Sequence, residues 1–204
     1  MSLTSRRRRP LDRSVPHLRD TSLVVVATEG TSTEKQYFEI FRRESSRVQV
    51  RVLETQGGRS APRHVLERLA SFRRQFDLGA GDALCLVVDK DRWPDEQLAE
   101  VAAEAGRSDF LLAVSHPCFE LWLYLHLADA PDQMQGMSCR QLQAELRSVA
   151  GGYRKSALDT ATFKPYVGDA VARAEALDVA PRDRWPNQLG TRVYRVILAI
   201  RERQ

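Results

Sequence analysis

Lysine is scarce in this chain: Lys35, Lys90, Lys155 and Lys164 are four of 31 basic residues, and arginine supplies the rest. Arginine is the better fork for phosphate, because its planar guanidinium meets two oxygens at once; a GC-rich coding bias gives the same composition. Cysteine is scarcer still. Cys85, Cys118 and Cys139 are the three, with no CxxC or Cys/His spacing, which speaks against a zinc module of the kind primases use. Without paired spacing, all three read as reduced thiols of a cytoplasmic protein. No apolar run approaches the ~18 residues of a membrane span. The first residues carry no apolar h-region, so no signal peptide is expected. The Gln56-Gly57-Gly58-Arg59-Ser60 stretch lacks a Walker pattern and reads as a turn.

What is present is an ordinary globular composition. The chain has 204 residues, 43% hydrophobic and 28% charged, with a formal net charge of +4. That length supports one domain, or one domain with an elaboration. The mild positive charge permits a polyanionic partner without requiring one.

The most informative stretch runs from Asp82 to Arg92. Ala83 to Val88 is an unbroken apolar run, as in a strand buried on both faces. It ends in Asp89-Lys90-Asp91. In an extended chain, positions i and i+2 face the same side, so Asp89 and Asp91 are expected to act as a pair at the carboxyl edge of a sheet. Open α/β folds place their sites there. A solvated strand exit is the plain alternative. A second strand, Ser22 to Thr28, also ends in a carboxylate, Glu29, followed by Gly30 where a side chain would clash. Ser32 or Thr33 is placed to cap a helix beginning near Glu34. Carboxylates gathered on one edge suit Mg²⁺ or Mn²⁺, which prefer oxygen ligands.

In chain order, residues 1–20 form a basic arm with Arg6-Arg7-Arg8-Arg9, partly disordered and able to track a phosphate backbone. Helix is expected from Glu34 to about Arg47, strand over Val48–Leu53, and helix from Pro62 with Val65, Leu66, Leu69, Phe72 and Phe76 as its apolar stripe. Pro94-Asp95 opens a further helix that Gly106 stops, and Phe110–Val114 is a fourth strand. This alternation predicts a mostly parallel four-stranded sheet flanked by helices, spanning residues 21–128. After Pro117 comes an apolar helix that contains Glu120. A buried carboxylate must either pair with a cation or face the polar cleft. His116, at the strand exit, is positioned to look into the cleft, but a Cys118–His116 nucleophile lacks a third group. Residues 129–204 read as a helical elaboration: Ser138–Val149, Thr160–Leu177 and a last helix opened by Thr191. Lys155 lies in the Gly151-Gly152 loop, placed to meet a phosphate or to balance charge in a transition state.

These residues resemble a known family. A strand ending in Glu-Gly and a later one ending in Asp-x-Asp is the two-part signature of the Toprim fold, with its Rossmann-like core. The chain more closely resembles the RloB-like family, related to the overcoming-lysogenisation-defect nucleases. The likeness is carried by Glu29-Gly-Thr-Ser-Thr-Glu34-Lys-Gln-Tyr37-Phe38, Val87-Val-Asp89-Lys-Asp91 and His116-Pro117-Cys118-Phe119-Glu120-Leu121-Trp122-Leu123. The segment Trp185-Pro-Asn187-Gln-Leu-Gly-Thr191-Arg-Val193 is similar to the family's closing Asn-Pro-x-Thr-x-Val, with Gln188 in place of the usual proline. The resemblance implies a metal-dependent nuclease acting on DNA, RNA or tRNA, with Glu29, Asp89 and Asp91 as site acids and Glu34 and Glu120 as further metal ligands. It also implies a prokaryotic defence role beside an AAA or ABC-type ATPase. The alternative is a catalytically weak Toprim-like subunit that binds or regulates such an ATPase.

Overall fold

The computed structural model describes residues 21–30, 32–42, 45–53 and 61–204. The basic arm and the Gly57-Gly58 turn lie outside the described residues.

Four parallel strands and one short antiparallel strand make a single sheet in the order β2-β1-β3-β4-β5. They are β1 (Ser22–Thr28), β2 (Val48–Leu53), β3 (Ala83–Asp89), β4 (Leu111–His116) and β5 (Gly190–Thr191). Alternation of side chains divides the interior in two. Leu23, Val25, Ala27, Leu84, Leu86 and Val88 face α2 (Pro62–Gln75) and α3 (Asp95–Arg107). Val24, Val26, Cys85 and Val87 face α1 (Thr33–Phe38), α4 (Glu120–Leu127), α5 (Cys139–Val149), α7 (Val167–Leu177) and α8 (Val193–Arg201). Runs buried on both faces are what a sheet covered by helices on each side demands. Leu142, Leu146 and Phe163 belong to the same apolar cluster as Tyr37 and Trp122, so the C-terminal helices share a core with the sheet.

Several expectations change in the three-dimensional structure. The first helix is short: α1 passes into a 3-10 turn over Glu39–Phe41 rather than running to Arg47. The helix expected over Thr160–Leu177 is split into α6 (Thr160–Phe163), a 3-10 turn over Lys164–Tyr166 and α7, because Pro165 cannot donate within a helix. α3 runs through Gly106 to Arg107, and the turn that ends it places Asp109 at φ 54°. Thr191 opens no helix. It pairs with Ser115 in the antiparallel strand β5, Oγ to Oγ1 at 2.8 Å, and so gives the sheet a fifth strand.

The cysteine expectation is overturned. Cys118 and Cys139 form a disulfide with Cα atoms 5.7 Å apart, and Cys85 alone remains a free thiol, buried in β3. The two residues are 21 apart in sequence. Only the packing of α5 against α4 brings them within bonding reach.

Candidate metal centre

The strand order puts β1 between β2 and β3, so crossovers leave β1 and β3 in opposite directions across the sheet. A crevice opens at the carboxyl ends of such a strand pair. Its lining includes Glu29, Gly30, Thr33, Glu34, Asp89 and Glu120, with Arg92 and Lys155 as the cations, and its volume is about 350 Å³. A larger cleft of about 590 Å³ lies between the start of α3 and residues 182–187, where Asp95, Glu96 and Asp183 are offset by Arg182 and Arg184.

Glu29 follows β1 directly and is 3% exposed. Its Oε2 accepts from Trp93 Nε1 at 2.9 Å and from the Asp89 amide at 3.3 Å, while Arg92 lies 3.6 Å from Oε1. Asp89, the last residue of β3, keeps a solvent edge and accepts from the Phe119 amide at 2.8 Å. Glu34, in the first turn of α1, accepts from the Gly30 amide at 3.1 Å. Gly30 leaves room for the Glu34 carboxylate, since a Cβ would stand 1.9 Å from Glu34 Oε2. Ser32 offers α1 no side-chain cap.

Glu120 opens α4 and is 2% exposed. Its Oε1 takes Lys155 Nζ at 2.7 Å, the Tyr153 hydroxyl at 3.0 Å and Gln143 Nε2 at 3.1 Å. The buried charge therefore both meets a cation and lines the cleft. The Lys155 loop is fastened to α1, since its carbonyl accepts from Thr33 Oγ1 and Gln36 Nε2 and the Leu158 amide donates to Gln36 Oε1.

Asp91 is not in the crevice lining, though its charge acts on Asp89 and Glu29. β3 stops at Asp89, and the chain turns with the Lys90 amide on Ser115 O and the Asp91 amide on Pro117 O. The i, i+2 rule ends with the strand, and Asp91 is exposed at the rim rather than in the lining. His116 also lies outside this lining; it precedes a cis bond to Pro117. Cys118 is tied up in the disulfide and offers no thiolate as a nucleophile.

Crowded acids in a half-dry crevice resist ionisation. Burial, then the charges of Glu34, Glu29, Glu120 and Asp91, hold the Asp89 carboxyl well above the usual carboxylate range. Burial raises Glu29 against the opposing hydrogen bonds from Trp93 and Asp89. Burial pushes Glu34 up to about 7, with Glu120 and Glu29 adding to it. Asp91, whose carboxyl is only partly desolvated beside the crevice, is also raised, by that desolvation and by Glu120, with Arg92 and Lys155 opposing.

The family model described as RloB-like protein matches residues 24–200. The chain belongs to the RloB-like family. No curated protein and no solved structure matches it. Within the family match, the closing segment proves structural in this chain. Thr191 forms β5, and buried Arg192 forks onto Asp178 through Nε and Nη2, both at 3.0 Å. Trp93, Tyr153 and Gln143 hold the site acids and were not legible as site residues. Tyr153 and Trp93 carried a hint, each two residues from an expected site residue, Lys155 and Asp91.

Proposed function

We propose that this RloB-like protein is a Mg²⁺- or Mn²⁺-dependent hydrolase of phosphodiester bonds in DNA or RNA. The observation that carries the reading is the convergence of Glu29, Glu34, Asp89 and Glu120 on one crevice, three of them held above their ordinary pKa by burial and by one another. A divalent cation relieves that repulsion, and an all-oxygen donor set suits a hard one. Glu29 and Asp89 would hold it from the sheet edge, with Glu34 and Glu120 facing them and Asp91 at the rim. When bound, the cation supplies Lewis acidity and a nucleophilic water.

The chain's own residues supply the remainder. Glu29, oriented by its Trp93 hydrogen bond, takes the proton from the attacking water, and burial raises its basicity. Lys155, more than half exposed, presents an ammonium to the phosphoryl oxygens as their charge grows. Arg92, 3.6 Å from Glu29, also lines the crevice and orients a phosphate.

A second reading has one observation in its favour: Asp91 sits on an exposed turn, so half of the Asp-x-Asp pair is outside the crevice. On that reading the protein is a weak or inactive subunit that binds metal and regulates a partner. The family resemblance supports an AAA or ABC-type ATPase as that partner, and a defence role, under either reading.

The test is cleavage of labelled plasmid, single-stranded DNA and total tRNA in Mg²⁺ and Mn²⁺, with wild type beside Asp89→Asn. The proposal expects cleavage by wild type that chelator abolishes and the variant lacks. Cleavage that survives chelator, or equal cleavage by Asp89→Asn, refutes it. Metal binding without turnover favours the regulatory reading.

A further inference from the structure

Glu120, which lines the acid crevice, also belongs to a group of different chemistry. One sulfur each from Cys118 and Cys139 and a carboxylate oxygen of Glu120 all lie within 4.8 Å of one another. Cys118 and Glu120 are buried and Cys139 is partly exposed, so one side of the group meets solvent. The Glu120 carboxylate is divided between two environments. Oε1 carries Lys155, Tyr153 and Gln143, whereas Oε2 turns to Cys139 Sγ at 3.5 Å. An oxidised sulfur has no proton to give that oxygen.

The geometry points to a second metal site: on reduction of the Cys118–Cys139 disulfide, the two sulfurs and Glu120 Oε2 bind one thiophilic divalent cation of the Zn²⁺ class. This inference does not require the hydrolase reading, although the two sites share Glu120. Zinc–sulfur and zinc–oxygen bonds of about 2.3 and 2.0–2.2 Å at tetrahedral angles require S···O edges of about 3.5 Å and an S···S edge of about 3.7 Å. The S···O edge between Cys139 and Glu120 is already in place at 3.5 Å. The Cys118 sulfur lies within 4.8 Å of the other two ligand atoms, and reduction of the disulfide frees both sulfurs to take up the remaining edges. The fourth position is left to solvent.

The chemistry balances. A dithiol or phosphine reductant gives two electrons to the S–S bond, each sulfur takes a proton, and the reductant leaves as its disulfide or oxide. Cation binding then releases both thiol protons, because thiolate is the ligand form. Two thiolates and one carboxylate carry three negative charges, which a divalent cation and the Lys155 ammonium, 2.7 Å from Oε1, neutralise. Reduction does not free α5. Leu142 and Leu146 are fully buried, and Ser138 and Gln141 form a capping box at its start.

Co²⁺ is the probe, since a thiolate ligand gives it a near-ultraviolet charge-transfer band. Phosphine-reduced wild type is expected to take up one equivalent of Co²⁺ with that band, and Zn²⁺ is expected to displace it. Oxidised protein should show no band. Cys139→Ser and the double variant Cys118→Ser/Cys139→Ser should lose it, with folding checked by circular dichroism. Glu120→Gln should keep thiolate character but weaken binding by more than about tenfold. Glu29→Gln/Asp89→Asn should leave the band untouched, which separates this site from the oxygen-lined crevice. Buried Cys85 serves as the internal control in every variant. No band in reduced wild type, or a band that persists in the double cysteine variant, overturns the inference.

Discussion

Replacing Glu34 by glutamine removes a charge that the fold holds at a cost. In the native protein burial lifts the Glu34 carboxyl to about 7 from an ordinary 4.5. An acid whose folded pKa is raised binds its proton more tightly in the native state. Its contribution to stability is therefore full below the unfolded pKa and is lost as pH rises through the folded one. With 1.36 kcal/mol per pKa unit, the wild type forfeits about 2 kcal/mol between about pH 5 and pH 7, and about 3 kcal/mol in all. Glutamine keeps the carbonyl oxygen that accepts from the Gly30 amide and cannot ionise. It also withdraws the largest charge acting on Asp89. Chemical denaturation of both proteins in chelator, from about pH 5 to pH 8, measures the difference. Glu34→Gln is expected to match wild type at the acid end and to exceed it by about 2–3 kcal/mol at neutral pH. Parallel stability curves, or a variant weaker than wild type at neutral pH, refute the claim that Glu34 is a buried, strained charge.

Three further outcomes follow from the same geometry. Gly30→Ala inserts a Cβ where Glu34 Oε2 lies, so the carboxylate swings away; Mn²⁺ affinity should fall about tenfold by calorimetry while unfolding shifts by less than about 1 kcal/mol. Lys155→Met should lower turnover about a hundredfold while costing under about 1 kcal/mol, because the ammonium is more than half exposed and its ion pair is screened. Arg192→Ala removes one of two cations on buried Asp178, which keeps Arg195 at 2.9 Å, and should cost about 2–3 kcal/mol in denaturant, without altering the acid crevice.

The parallel sheet was legible because its strands are buried on both faces, and Ser22–Thr28 and Ala83–Val88 announce that as unbroken apolar runs. Glu29 and Asp89 were legible for the same reason, since each stands where such a run stops. Asp91 lies two residues past the end of β3, on a turn where strand alternation no longer sets which way a side chain faces. β5 is two residues long and has no periodicity to read; it exists because Gly190 and Thr191 dock on the exposed edge of β4. The Cys118–Cys139 bond and the partners Gln143 and Tyr153 of Glu120 are contacts between segments distant in the chain. Periodicity and capping report on neighbours in sequence, so nothing local marks such contacts.

The central claim is that Glu29, Glu34, Asp89 and Glu120 form one hard-cation site. Calorimetric titration of Mn²⁺ into oxidised wild type and into Glu29→Gln/Asp89→Asn tests it most directly. The account predicts saturable binding by wild type near neutral pH, with protons released as the raised carboxyls ionise, and loss of that binding in the double variant. Equal affinity in the two proteins, or no binding by wild type, contradicts it.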